Sequence, residues 1–257
     1  MPAFDAINRV ASTPMLLVAL DFDGTLSPTV DDPAEARALP SAIAAIGALA
    51  SCSHTVVAIV SGRPLEGLRD VVTVPPSVIL IGSHGAESWV DGHEASPVLT
   101  EEEQELLESV CSAVEGIAAR FAGARMERKP SGCALHTRLA TTHDGETART
   151  LALEQVLRID TAARVTERYG KDILEFMVRP ADKGTAVEWL RELTSATAVV
   201  FVGDDVTDED GFRALKTGDV GVKVGSGESA AEYRIKDPAE AALLLETLAA
   251  ARTGRHG

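Results

Sequence analysis

The stretch LLVALDFDGTLSP, Leu16 to Pro28, drives an apolar run straight into two aspartates separated by one residue, Asp21 and Asp23, followed by Gly24. A buried strand needs no charge at its end, so the pair invites a chemical explanation. In open α/β sheets, ligands bind beyond the carboxyl ends of the strands. Gly24 permits a tight turn that a side chain would block. A polar turn is the alternative, since Asp and Gly are common loop residues and the DxD spacing alone does not separate the two readings.

A second cluster repeats the pattern. In VVFVGDDVTDED another apolar strand runs into Gly203, Asp204 and Asp205, with Asp208, Glu209 and Asp210 just beyond. Carboxylates crowded together raise one another's energy unless a cation compensates. An acidic helix start, favoured by the helix dipole, accounts for Asp208 to Asp210 but less well for Asp204 at a strand end. Two strands that both end in aspartate suggest a hard divalent ion held by oxygen, Mg²⁺ above all. VVAIVSGR ends a third strand in Ser61, Gly62 and Arg63. A hydroxyl, a bare amide and a guanidinium suit a phosphate, although Ser-Gly is also an everyday turn. In ADKGTAV, Lys183 opens a helix, where its charge opposes the dipole. Binding phosphate and neutralising Asp21 would justify a cation there.

The elements that must position these residues follow from the hydropathy pattern. Met15–Leu20, Thr55–Val60, Val78–Ile81, Ala198–Val202 and Val220–Val224 read as buried parallel strands. Helices are expected at Ser41–Ala50, Lys183–Leu193 and Pro238–Ala250. Alternating strands and helices imply an open α/β sheet. Between them, Glu101–Phe121 reads as a long acidic helix. Strand-like Ala124–Lys129 and Cys133–Arg138, helical Gly145–Leu157, and strand-like Arg164–Arg168 and Asp172–Val178 follow. This block suits a small cap inserted into the first domain. The expected division is residues 1–103 (core), 104–180 (cap) and 181–257 (core).

Composition narrows the partners. The 257 residues carry 24 basic and 39 acidic side chains, a net charge of −15, which repels nucleic acid and anionic membrane. It also repels a phosphorylated substrate, so a phosphate site needs local cations. Cys52, Cys111 and Cys133 have no paired spacing and read as reduced thiols of a cytoplasmic protein. No signal peptide is evident, and no apolar run approaches the roughly 20 residues of a membrane span. A monomer is the default expectation, with nothing in the sequence that sets the oligomeric state.

DFDGT, SGR, a lysine and GDDVTDE, in this order from Asp21 to Glu209, resemble the haloacid dehalogenase superfamily of phosphatases. GSHGAE (Gly82–Glu87), ERK (Glu127–Lys129) with His136 after it, and ILEF containing Glu175 are similar to the trehalose-6-phosphate phosphatases within it. The resemblance implies a Rossmann-like core with a mainly parallel sheet and a smaller α/β cap. It implies Asp21 as nucleophile and Asp23 as general acid/base. Mg²⁺ would be held by the Asp21 carboxylate, the Asp23 carbonyl and Asp204, with Asp208 in support. Ser61, Gly62 and Lys183 would bind phosphate. Arg63, His84, Glu87, Glu127, Lys129, His136 and Glu175 would line a sugar pocket. Without the resemblance, a solvated strand face is the plainer reading of the cap residues. Arg128 and Thr137 depart from the family pattern, which puts the exact sugar in question. A phosphatase for another sugar or pseudo-disaccharide phosphate, a phosphomutase and a non-catalytic sugar-phosphate sensor are the rival readings. A sensor would be expected to lack Asp21 or Asp23.

Overall fold

The computed structural model describes residues 2–30, 32–95, 99–179 and 181–254. The chain forms two units, Met1–Ser96 with Ala181–Gly257, and Pro97–Pro180.

The first unit begins with α1 (Pro2–Val10), β1 (Leu16–Leu20), α2 (Pro40–Ala50), β2 (Thr55–Val60) and α3 (Leu65–Val71). β3 (Ile79–Gly82), β4 (Glu87–Val90) and β5 (His93–Ala95) follow. The second unit comprises α4 (Glu101–Ala118), β6 (Arg125–Lys129), β7 (Gly132–His136), α5 (Thr142–Ile159), β8 (Thr166–Gly170) and β9 (Ile173–Met177). The chain then returns to the first unit as α6 (Lys183–Thr194), β10 (Ala198–Gly203), α7 (Asp208–Arg213), β11 (Val220–Val224), β12 (Tyr233–Ile235) and α8 (Pro238–Thr253).

The large sheet has the order β12-β11-β10-β1-β2-β3-β4-β5, parallel through β3 and antiparallel at β4 and β5. β1 lies in the middle because its side chains bury on both faces. Leu16, Val18 and Leu20 pack with Ile46, Leu49, Leu244 and Leu248 of α2 and α8. Leu17 and Ala19 pack with Val187 and Leu190 of α6. Each fully buried aliphatic side chain contributes about 1.5–3 kcal/mol. Strand order reverses at β1, which runs onward to β2 on one side and has β10 on the other. That switch point opens a crevice at the strands' carboxyl ends.

At the opposite end of α8, Arg252 is only 1% exposed. Its guanidinium donates to the carbonyls of Ala11, Thr13, Ser53 and His54 and to the Thr55 hydroxyl, at 2.6–3.3 Å. One side chain thus ties the last helix to the loops leading into β1 and β2. Arg252→Met should lower unfolding free energy by about 2–4 kcal/mol, because the carbonyls it serves lose their donor. Urea denaturation measures this.

The second unit is a four-stranded antiparallel sheet, β6-β7-β9-β8, with α4 and α5 on one face. Cys133, Leu135, Leu174 and Phe176 face the helices and pack with Val110, Val114, Ala148 and Ala152. The boundary expected at 103/104 is corrected by this unit. α4 belongs to it entire, since Thr100 and Glu103 close a capping box on its first turn and Glu103 also holds Arg179 at 3.0 Å. A cut after 103 would part the capping box from the helix it closes and break the Glu103–Arg179 pair. Among the described residues no helix is long and apolar enough to cross a membrane.

Candidate active site

Asp21 continues the β1 ladder by one bond, its N–H donating to Val202 of β10 at 2.9 Å. The carboxylate is thereby fixed at the mouth of the crevice. The chain then turns sharply, with Leu26 and Ser27 N–H both donating to the Phe22 carbonyl at 2.9 Å. Gly24 has φ +80°, and a Cβ there would land on the Asp204 carboxylate. The glycine is therefore required twice, for its backbone conformation and for the close approach of β10's terminal aspartate. Thr25, fully buried, donates its hydroxyl to Asp204 Oδ1 at 3.2 Å and sets that carboxylate's orientation.

Lys183 lies at the first position of α6, where Asp182 caps the helix through Thr185 N–H. The aspartate offsets the dipole penalty on the lysine. Lys183 is 2% exposed, and its Nζ donates to Asp21 Oδ1 at 2.5 Å and Asp208 Oδ1 at 2.7 Å. The other oxygen of Asp208 accepts the N–H groups of Asp204 and Asp205 at 2.9 and 2.8 Å. Asp208 thus supports the loop and the lysine, while oxygens of Asp21, Asp204 and Asp208 all lie within 4.8 Å of one another. The set fits a hard divalent cation: three buried or half-buried carboxylates share one ammonium group, an arrangement short of positive charge.

Titration reflects that shortage. Burial pushes Asp21 well above the usual carboxylate range, Lys183 opposes it, and Asp208 and Asp204 add to it. Burial likewise raises Asp204, and the Asp208 charge adds to this. Both groups hold protons more tightly folded than unfolded, so they oppose folding increasingly as pH rises above their ordinary value of 3.8. Glu103 is lowered, chiefly by its bond from Arg179, and so stabilises above its ordinary value and loses that contribution only in acid. Metal-free protein should therefore melt higher at about pH 5 than at about pH 8, and the gain in melting temperature from Mg²⁺ should shrink on acidification as protons compete for the same oxygens. Thermal melts with and without the ion measure both.

A cavity of about 540 Å³ opens on this cluster, lined among others by Asp21, Asp23, Gly62, Arg63, His84 and Lys183. Arg63 grips Asp23 with two parallel bonds, Nε to Oδ2 at 2.6 Å and Nη2 to Oδ1 at 2.7 Å. The Ser61 hydroxyl is buried just behind the lining and accepts Arg63 N–H at 3.1 Å, which leaves its own proton to donate. Ser83, His84 and Gly85 are all at positive φ, a strained run that sets the imidazole against Gly62. Glu87 is not among the residues lining this cavity, and its Oε2 accepts Leu65 N–H and the Ser83 hydroxyl, each at 2.8 Å. It braces the loops that carry Arg63 and His84.

The three consecutive carboxylates of α7 point three ways. Asp208 faces Lys183, Glu209 lies 3.4 Å from the buried Lys223, and Asp210 pairs with Arg213 at the surface. The acidic helix start and the site residue are both present in one turn.

In the second unit, strand alternation puts Glu127, Lys129, His136 and Glu175 on the sheet face opposite the helices. Lys129 is ion-paired with Glu175, and His136 Nε2 lies 2.7 Å from Glu127 Oε2. Arg168, directly across from Glu175 in register, shares that face. Arg128 and Thr137, the two departures, are engaged elsewhere. Arg128 pairs with Glu108 of α4, and Thr137 is buried, donating to the Asp172 carbonyl at 3.2 Å and accepting from Arg149.

The family profile described as trehalose-phosphatase matches residues 19–239, taking in both units. The chain belongs to the trehalose-phosphatase family. It is 35% identical over 258 residues to a trehalose-phosphate phosphatase of Mycobacterium avium, covering 90% of this chain and 61% of that one. It is 32% identical over 264 residues to a Mycobacterium tuberculosis protein described as an uncharacterized glycosyl hydrolase, covering 97% of this chain and 19% of that one. The chain thus spans less than two thirds of either relative's length. Its fold is similar to that of the trehalose-6-phosphate phosphatase of Aspergillus fumigatus, with TM-score 0.68, 24% identity, and 97% and 98% of the two chains covered. Within this member of the trehalose-phosphatase family, sequence reading gave no role to Thr25, Lys223 and Arg168, and read Glu209 only as part of an acidic cluster at a helix start. Lys223 left a signal: a lysine inside VGVKV is a charge in a run that otherwise reads as buried strand.

Proposed function

We propose that the chain is a Mg²⁺-dependent phosphatase that hydrolyses trehalose 6-phosphate to trehalose and phosphate through an aspartyl-phosphate. The observation that carries this is Asp21, held at the end of β1 on the cavity, with Lys183 at 2.5 Å and Asp204 beside it. Phosphate monoester hydrolysis is among the slowest uncatalysed reactions, because a dianion repels an anionic nucleophile. Lys183 offsets part of that charge. A bound Mg²⁺, held by Asp21, Asp204 and the Asp23 carbonyl, would supply the rest by drawing electron density from the phosphoryl oxygens.

An oxygen of Asp21 attacks phosphorus, and the P–O bond to the sugar breaks as the P–O bond to Asp21 forms. Asp23 gives its proton to the leaving alkoxide. It then takes a proton from water, which attacks phosphorus and releases phosphate and free Asp21. In the resting structure both Asp23 oxygens accept from Arg63, which fixes the carboxylate in place, and Arg63 must release one of them before Asp23 can carry the proton it gives to the leaving group.

The polar face of the second unit supplies the sugar recognition. Four charged or ionisable side chains on one sheet face offer acceptors and donors to hydroxyl groups, and such a site rejects analogues that lack them. Arg128 and Thr137 are engaged away from that set, which favours the disaccharide reading over a different sugar. The free cysteines suit a reducing compartment such as the cytoplasm, and a net charge of −15 disfavours nucleic acid as a partner. The test is phosphate release from trehalose 6-phosphate, glucose 6-phosphate and sucrose 6-phosphate, with and without Mg²⁺. Preference for glucose 6-phosphate would overturn the disaccharide assignment.

A further inference from the structure

We infer that Lys223, paired with Glu209, is a positioning residue that fixes the Asp204–Asp205 backbone so that Asp204 is set for cation binding. The inference rests on the reading that the aspartate cluster holds Mg²⁺.

Lys223 lies opposite Gly203 in the β10–β11 register, one strand away from the aspartate loop. It is 5% exposed. Its Nζ donates to the Asp205 carbonyl at 3.1 Å and lies 3.4 Å from Glu209 Oε1. Glu209 Oε2 in turn accepts Ala230 N–H at 2.7 Å.

Three successive peptide groups are thereby held from two sides. The N–H groups of Asp204 and Asp205 go to the Asp208 side chain, and the carbonyl of Asp205 accepts from Lys223 Nζ at 3.1 Å and from Asp208 N–H at 3.3 Å. Without Lys223 every one of these anchors comes from Asp208, and the loop can pivot together with the first turn of α7. Lys223 ties the same carbonyl to β11, a separate element, and the Asp204 side chain inherits the fixed direction. A valine or leucine at 223 would fill the strand without the cost of desolvating an ammonium group. The charge has a role only through what it holds, and what it holds is this loop, directly at Asp205 and through Glu209 on the following turn of α7. Groups one step removed from the ligands orient them and tune affinity in this way.

The test compares the parent with Lys223→Met/Glu209→Gln, which removes the ion pair without stranding either charge and keeps an acceptor for Ala230. Mg²⁺ binding is measured by isothermal titration calorimetry, and melting temperature is measured in chelator. The expected result is Mg²⁺ affinity weakened about tenfold. Phosphatase activity is expected to be low at limiting Mg²⁺ and to recover at saturating Mg²⁺, which a general loss of fold would not do. Unchanged Mg²⁺ affinity in the double variant, whatever its melting temperature, overturns the proposal. If the double variant does not fold, Glu209→Gln alone carries the same comparison with a smaller expected loss of about threefold. Absence of Mg²⁺ binding by the parent overturns the cation reading, and the proposal with it. Parent binding with unchanged variant binding overturns the proposal alone.

Discussion

Asp21→Asn is expected to lower phosphate release by about 10⁵-fold or more while the protein stays folded. Asparagine is nearly isosteric and cannot form the acyl phosphate, so the first covalent step is lost. The substitution also removes one charge from the cluster of Asp21, Asp204 and Asp208, in which Asp21 and Asp208 share Lys183. Burial and its acidic neighbours already hold the Asp21 carboxyl well above the usual range, so its ionised form is costly in the metal-free protein. Melting temperature in chelator should therefore be maintained or rise, an instance of stability being given up at a reactive site. Phosphate release and thermal melts on the same preparation separate the two effects. Turnover equal to the parent's would mean that another group attacks phosphorus.

The largest stability effect is expected from Lys183→Met. Lys183 is the ammonium shared by Asp21 and Asp208 at 2.5 and 2.7 Å, and all three groups are buried. Breaking a buried pair by removing one partner costs about 3–5 kcal/mol, because the remaining charges are stranded. Urea denaturation in chelator should show a loss of that size at neutral pH. The loss should lessen on acidification, as Asp21 takes up a proton. Adding Asp208→Asn to Lys183→Met should recover part of the stability. Neither variant should recover phosphate release, since the charge that offsets the phosphoryl group is gone. A double variant with restored turnover would reduce Lys183 to a structural role.

The central strands were legible because parallel strands buried on both faces are nearly pure apolar runs, as in Leu16–Leu20 and Ala198–Gly203. Their functional ends were legible for the complementary reason: a carboxylate where such a run stops has no packing explanation. The antiparallel strands β4 and β5 escaped, since ESWV and HEA mix polar and apolar residues at an edge. Their turn had nonetheless left a mark, Asp91-Gly92, both at positive φ. Glu87 shows the limit of reading roles from motifs. It is a side chain the resemblance points to, yet only coordinates reveal that its Oε2 accepts from both Leu65 N–H and the Ser83 hydroxyl. Lys223 and Glu209 are 14 residues apart in the chain, and no local pattern pairs them. Lys183 was legible through an anomaly, a cation at a helix start, which the buried Asp21 and Asp208 resolve.

The second unit keeps its own apolar cluster entirely on the helix side of its sheet, while Glu127, Lys129, His136 and Glu175 stand on the other. Exchanging residues on that polar surface removes no hydrophobic contact from beneath it. On the proposed reading, a lineage retunes which sugar it accepts by trading a few half-buried side chains there, with the foundation untouched and the phosphoryl chemistry inherited intact.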